Sequence, residues 1–145
     1  KLVEVAKGEH TSVETVETTA ALARKIGKEP VILHKELPGF LVNRILRAIT
    51  DEAYFLLDNG VASFADIDRA CELGLNHPMG PFKLGDFSGL DIGFEARLET
   101  HRKSGDPGDR PPPSLERRVQ RGDLGRKTGR GFYDYATDPP TPTED

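Results

Sequence analysis

The stretch FLVNRILRAITDEAYFLL, residues 40–57, decides the fold class. Its apolar residues recur at helical spacing in two neighbouring stripes, the first made of Leu41, Ile45, Ile49, Ala53 and Leu57 and the second of Val42, Leu46 and Tyr54. This periodicity predicts a helix that ends at Asn59-Gly60. A stripe this wide predicts burial on more than one side, as in a central bundle helix or at a dimer seam.

Shorter patterns on both sides of this helix complete the predicted fold. Helical spacing runs from Ser12 to Ile26 and from a capping box at Ser63 and Asp66. It also runs from Pro81 onward, with a break at Ser88-Gly89, and in a last helix that Ser114 is predicted to cap and that extends to about Gln120. Two β-branched stretches, residues 1–5 and 29–33, predict short strands. We therefore predict an all-α fold, a mainly helical bundle with one or two short strands. Its single domain covers residues 1–136, and residues 137–145 form a disordered acidic tail.

Composition excludes several classes of function. The chain has 145 residues and a formal net charge of −4, which argues against a nucleic-acid-binding protein. No apolar run approaches the roughly 18 residues that a membrane helix needs. The single Cys71 rules out an intramolecular disulfide and points to a reducing, cytoplasm-like compartment. None of the four histidines has metal-ligand spacing to another histidine, so we predict no metal site.

One basic, glycine-rich segment is similar to a phosphate-binding loop but lacks its spacing. In Gly122–Thr128, Arg126 stands where a P-loop requires glycine directly before the lysine. The surrounding cations form either a solvated helix face or a phosphate-binding patch: Arg117, Arg118, Arg121, Arg126, Lys127 and Arg130.

Two polar residues lie where the local pattern is otherwise apolar. Glu4 interrupts the strand-like run between Val3 and Val5 and would face away from both. Asn43 lies in the first turn of the long helix, just after a Pro-Gly turn. Each has a structural alternative: Glu4 can simply face solvent, and the Asn43 amide can cap the helix. The functional alternative for Asn43 is a polar group presented to a cleft at a helix N-terminus.

Four segments, taken in order, resemble the C-terminal domain of the L-3-hydroxyacyl-CoA dehydrogenase family. They are KLVEV at residues 1–5, PGFLVNR at 38–44, DID at 66–68 ahead of PMGPF at 78–82, and GRKTGRGFY at 125–133. The resemblance extends from Lys1 to about Tyr135. It implies a helical domain of the 6-phosphogluconate-dehydrogenase-like type, which contributes to a substrate cleft and forms a homodimer.

The resemblance also implies an activity and its residues. Members of the family oxidise the 3-hydroxyl of an acyl-CoA to a ketone in fatty-acid β-oxidation, transferring hydride to NAD bound by an N-terminal Rossmann domain. A histidine of that domain is the general base. Glu4 matches the glutamate that orients this histidine, and Asn43 matches an asparagine that helps to hold the substrate. The loop residues Met79, Pro81 and Phe82 are expected near the acyl chain, with packing as the alternative.

The chain departs from the family pattern in two respects. It contains neither the general-base histidine nor a G-x-G-x-x-G turn after a strand, so no complete NAD site can be formed from it. We expect the 145-residue chain to be inactive alone. The alternatives are a dehydrogenase of a related hydroxy compound, such as a sugar acid or carnitine, and a non-catalytic helical dimerisation module. A phosphate or nucleic-acid binder is the weakest alternative, because the chain is acidic overall.

Overall fold

The computed structural model describes residues 1–144, and these residues form six α-helices and four short strands. In chain order the elements are β1 (Leu2–Ala6), α1 (Val13–Lys25), β2 (Glu29–Leu33), α2 (Val42–Asp58), α3 (Phe64–Gly74), α4 (Pro81–Ser88), α5 (Leu90–Ser104), α6 (Pro113–Arg121), β3 (Tyr133–Asp134) and β4 (Thr141–Pro142). The prediction of a mainly helical fold is confirmed. Within the described residues, no helix is long and apolar enough to cross a membrane.

The chain divides into two compact units, the first over Lys1–Ala48 and the second from Ile49 onward. The first unit contains a β-α-β arrangement, in which β1 and β2 pair in parallel with Leu2 opposite Glu29. A parallel pair requires a crossover connection, and α1 supplies it. The Ser12 hydroxyl caps α1 by accepting a hydrogen bond from the Thr15 amide. The buried side chains of this unit come from β1, α1 and β2: Val5, Val16, Ala20, Ala23, Pro30 and Leu33.

An aromatic cluster forms the core of the second unit. Phe82 of α4 lies between Tyr54 of α2 and Phe132, with ring centroids 5.2 Å and 4.6 Å away. Phe64 of α3 and Tyr133 of β3 meet edge to face with centroids 5.5 Å apart. Edge-to-face and tilted ring pairs add specific geometry to the apolar area that they bury. This cluster joins α2, α3 and α4 to β3 and to Phe132, the residue before it.

Two fully buried aspartates connect the same elements through hydrogen bonds. The Asp68 carboxylate of α3 accepts from the first-turn amides of α4, those of Phe82 and Lys83, and from the Tyr133 hydroxyl. The Asp86 carboxylate of α4 accepts from the Phe132 and Tyr133 amides and from the Tyr135 hydroxyl. A buried carboxylate is costly unless hydrogen bonds replace its hydration, and each of these has three.

Glycines allow the backbone to approach these carboxylates. A Cβ atom on Gly80 would lie 2.3 Å from the Cα and Oδ1 atoms of Asp68. A Cβ atom on Gly131 would lie 2.1 Å from Asp86 Oδ1, and one on Gly125 would lie 2.3 Å from the Asp86 carbonyl oxygen. Gly80 of PMGPF and Gly125 and Gly131 of GRKTGRGFY are therefore required by packing around the two aspartates.

The C-terminal segment differs from the predicted tail. Thr141–Pro142 pairs antiparallel with β3, and the buried Thr143 hydroxyl donates to the carbonyls of Gly131 and Phe132. These hydrogen bonds and the burial of Thr143 order a segment that composition alone marks as frayed. Asp145, the last residue of the predicted tail, lies outside the described residues.

The start of α6 also differs from the prediction. Pro112 occupies the N-cap position, and Ser114 lies inside the helix. The Ser114 amide is satisfied by Asp58, whose Oδ1 atom accepts its hydrogen bond at 3.2 Å. An acceptor from a distant part of the chain thus replaces the local serine cap.

We predict opposite effects of alanine at two glycines. Gly80→Ala should lower the free energy of unfolding by about 3 kcal/mol, because its Cβ collides with Asp68 although the Gly80 φ of −75° suits any residue. Gly93→Ala in α5 is the matched control. With open space around the new Cβ, it should raise stability by about 0.5–1 kcal/mol. Urea unfolding followed by circular dichroism measures both, and a Gly80→Ala variant as stable as the parent contradicts the packing argument.

Candidate functional site

The Glu4 carboxylate lies at the N-terminus of α2. Its Oε1 atom accepts hydrogen bonds from the amides of Leu41 and Val42, at 2.8 Å and 3.2 Å. Those amides are among the four at a helix start that lack an intrahelical partner, and a negative charge there interacts favourably with the helix dipole. Glu4 Oε2 accepts no hydrogen bond from residues 1–144. One carboxylate oxygen is therefore fixed by backbone, while the other remains available to a further donor.

The turn before α2 sets this geometry. Gly39 has a φ of +83° and Phe40 a φ of +49°, a left-handed pair in which the non-glycine residue is uncommon. The Phe40 amide donates to the Leu37 carbonyl at 3.0 Å and closes the turn. The chain thereby enters α2 with its first free amides directed at Glu4.

Asn43 is exposed in the first turn of α2, next to the residue whose amide Glu4 accepts. Its side-chain amide makes no hydrogen bond with any residue that the structure describes. Capping of α2 is the structural alternative for Asn43. In the structure Glu4 caps this helix instead, through the amides of Leu41 and Val42. The Glu4 carboxylate and the Asn43 amide thus lie at the same end of one helix, within one unit.

The predicted acyl-chain residues lie in different environments. Phe82 is 1% exposed in the aromatic core, and Pro81 is buried at the first position of α4. Packing, the alternative given above, accounts for both positions. Met79 is half-buried and lines a pocket of about 430 Å³ in the second unit. Of these three residues, Met79 lines this pocket, and Pro81 and Phe82 do not.

The basic residues near the C-terminus do not form one solvated face. Arg118 is fully buried, with its guanidinium 4.0 Å from the centroid of the Phe132 ring. Lys127 pairs with Asp91, and Arg130 pairs with Asp123 and Asp134. Arg121 also pairs with Asp123, at 3.5 Å. Buried cation–π packing and ion pairs therefore account for four of the six cations.

Sequence reasoning missed Asp68 and Asp86. Burial raises the pKa of both carboxyls, and their hydrogen bonds from backbone amides and tyrosine hydroxyls oppose that rise. Asp86 carried a signal, because it is the one acidic residue in the mainly apolar stretch from Pro81 to Leu90.

Residues 1–144 show no glycine-rich phosphate-binding turn in the β-α-β arrangement and no cluster of metal ligands. In β1–α1–β2, β1 ends at Ala6 and the segment leading to α1 carries no glycine-rich turn. Such a turn is what brings backbone amides to a pyrophosphate. Among residues 1–144, no three His, Cys, Asp or Glu side chains are grouped as metal ligands would be.

Comparison with known families agrees with this geometry. The model of the 3-hydroxyacyl-CoA dehydrogenase C-terminal domain matches residues 39–135. The chain belongs to the 3-hydroxyacyl-CoA dehydrogenase family. The model of the family's NAD-binding domain matches residues 1–37, which hold the parallel β-α-β arrangement. The predicted domain over residues 1–136 thus includes a short piece of the NAD-binding domain, residues 1–37, and the segment that matches the C-terminal domain, residues 39–135.

Individual relatives support the same family. A 3-hydroxybutyryl-CoA dehydrogenase of Clostridioides difficile is 46% identical over 93% of the chain and 48% of its own length. The crystal structure of (S)-3-hydroxybutyryl-CoA dehydrogenase from Ralstonia eutropha superposes with a TM-score of 0.82 at 42% identity, covering 94% of this chain and 48% of that one. A diketoreductase structure has a TM-score of 0.78 at 31% identity, over 91% of this chain and 46% of that one. The chain spans about half the length of the curated relatives it matches.

We predict that the tyrosines resist ionisation in the folded chain. Burial and the nearby Asp86 raise the pKa of Tyr135 to about 12, and burial also raises the pKa of Tyr54 and Tyr133. Because the folded state prefers the protonated phenols, their contribution to stability is complete below the ordinary pKa of about 10. The Tyr135 contribution is lost as the pH rises from there through about 12, and the contributions of Tyr54 and Tyr133 are lost at higher pH.

Absorbance of tyrosinate near pH 11 measures this directly. The signal should be small in the native chain and large after urea unfolding at the same pH. The urea midpoint should also fall as the pH rises from about 10. Three tyrosines that titrate near pH 10 in the folded chain would contradict the burial described here.

Proposed function

We propose that this chain is the C-terminal part of an NAD-dependent L-3-hydroxyacyl-CoA dehydrogenase of the 3-hydroxybutyryl-CoA type, which oxidises the 3-hydroxyl of an acyl-CoA to a ketone. The observation that carries the proposal is 46% identity, over 93% of the chain, with a relative of that name. The exposed polar groups at the start of α2 support it. NAD would accept the hydride, and residues outside this sequence would hold it.

Glu4 is proposed to be the positioning residue for the general base. Its Oε1 atom is held by two backbone amides, so the carboxylate cannot rotate freely. Its Oε2 atom can accept the N–H of the imidazole that the family resemblance implies. A carboxylate in this role fixes the tautomer and stabilises the imidazolium that forms when the base takes the hydroxyl proton.

Asn43 is proposed to bind the substrate near the reacting carbon. Its exposed amide offers both a donor and an acceptor, and it lies in the first turn of α2, where the helix dipole favours a developing negative charge. A neutral amide at this place can stabilise the oxygen of the 3-hydroxyl as it becomes a carbonyl. Met79 remains the proposed acyl-chain contact from the second unit.

A fusion protein tests the proposed function. We join the part of the Clostridioides difficile relative that precedes its match to this chain to residues 1–145 and follow NADH oxidation with acetoacetyl-CoA. The fusion should turn over, and the 145-residue chain should not, because a general base must lie within hydrogen-bonding reach of its proton. Turnover by the chain alone, or an inactive but folded fusion, contradicts the proposal. The second outcome favours the dimerisation module.

Two substitutions in the fusion test the residue roles. Glu4→Gln keeps an acceptor for the α2 amides but removes the charge, so kcat should fall by at least about 100-fold. Asn43→Ala should lower kcat/KM by about 10-fold without changing the melting temperature, because the side chain is exposed. The matched controls are Glu17→Gln on α1 and Asn59→Ala beyond the other end of α2. Either control with the same loss would remove the assigned role.

The alternative substrate is a hydroxy compound that is not a CoA thioester. The 31% identity with the diketoreductase favours keeping this alternative, because that protein acts on dicarbonyl compounds. The same fusion distinguishes the two when 3-hydroxybutyryl-CoA, a sugar acid and carnitine are each supplied with NAD and the formation of NADH is followed. A higher kcat/KM for either of the last two would support the alternative.

We further propose that the helical part forms a homodimer. Large apolar side chains of the second unit are exposed, among them Phe55 of α2 at 57% and Leu73 of α3 at 76%. A two-fold interface requires such a self-complementary apolar surface. Phe55→Lys should convert a dimer to a monomer in analytical ultracentrifugation. Leu22→Lys on α1, a residue exposed to the same 57%, should not change the mass.

A further inference from the structure

The pocket that contains Met79 has an apolar wall. It lies in the second unit and has a volume of about 430 Å³, enough for a small organic molecule. The wall comes from the loop before α4 and from the segment between β3 and β4: Pro78, Met79, Pro139 and Pro140. Rings and a thioether of this kind cover the apolar body of a ligand without offering it a hydrogen bond.

The hydroxyl groups at the pocket are already engaged. The Tyr133 hydroxyl donates to Asp68 Oδ2 at 2.8 Å, and the Tyr135 hydroxyl donates to Asp86 Oδ2 at 3.0 Å. Lys83 Nζ donates to Glu72 Oε1 at 2.8 Å, so these two opposite charges offset each other. The pocket therefore offers a ligand few neutral polar partners.

Arg126 contributes a positive charge that no carboxylate in residues 1–144 offsets by an ion pair. Its guanidinium lies 5.2 Å from the ring centroid of Phe87 and 5.3 Å from that of Tyr135. Its neighbours in the chain differ, because Lys127 pairs with Asp91 and Arg130 pairs with Asp123 and Asp134. The aromatic contacts hold the guanidinium at the pocket while leaving its charge available to an anion.

We propose that this pocket binds a small organic anion, with Arg126 holding a carboxylate or phosphate-monoester head and the proline and methionine wall covering an apolar body. A guanidinium presents paired N–H donors that match either head group. The pocket shares Met79 with the acyl-chain contact proposed above, but anion binding does not depend on the dehydrogenase function, because all the pocket residues belong to the second unit of this chain.

Titration of the 145-residue chain with benzoate and with phenyl phosphate tests the pocket. The His77 ring resonances report on it in NMR spectra, because His77 also lines the pocket. At least one of the two anions should bind saturably, and phenol, which has the ring without the anionic head, should not. Binding of phenol with equal affinity, or no saturation with either anion, overturns the proposal.

Variants distinguish the pocket from general charge attraction. Arg126→Gln should weaken binding by about 10-fold or more, and Arg126→Lys should retain part of the affinity. Arg117→Gln removes the same charge from an exposed position on α6 and should leave binding unchanged. Met79→Glu leaves the Arg126 ring contacts in place but should abolish anion binding. Equal weakening by Arg117→Gln, or unchanged binding with Met79→Glu, overturns the proposal.

Discussion

Burial of two carboxylates, Asp68 and Asp86, is the constraint on which the second unit depends. Each loses its hydration and regains three hydrogen bonds, two from backbone amides and one from a tyrosine hydroxyl. Removing any one donor would leave a buried charge with incomplete compensation, which costs more than the bond itself is worth. The first turn of α4 and the segment Phe132–Tyr135 are therefore held in one relative position. The aromatic core then packs around elements whose register the aspartates have already determined.

The helices could be predicted from sequence because their signals are local. The Ser63 hydroxyl accepts from the Asp66 amide, as the capping box predicts, and Pro81 begins α4. The break at Ser88-Gly89 is also where α4 ends and α5 begins. Caps, proline and glycine act within a few residues of where they stand, so periodicity and spacing reveal them.

The interactions that sequence analysis missed join residues far apart in the chain. Glu4 meets the amides of Leu41 and Val42 across more than thirty positions. Asp58 replaces the cap predicted for Ser114, and Arg118 is buried against Phe132 rather than solvated. In each case a polar group finds a partner or a ring that only the folded chain brings near. Tertiary partners therefore override local propensity at these polar positions. The helical periodicity of α2 predicts its bounds but not its burial, because Ile45 of the first stripe is exposed and Ala53 and Tyr54 are the buried residues of the helix.

The segments that match the family have different structural roles. A match to a family motif therefore does not by itself identify a catalytic residue. PMGPF and GRKTGRGFY are explained by glycines that make room for Asp68 and Asp86 and by phenylalanines that fill the core. PGFLVNR instead makes a strained turn that aims backbone amides at Glu4 and leaves Asn43 exposed. Packing does not account for the exposed side-chain amide of Asn43, which makes no hydrogen bond within residues 1–144. It also does not account for Glu4 Oε2, which accepts none. The excess polar capacity of this turn is therefore a feature that packing leaves unexplained, and under the proposed function a reaction partner would use it.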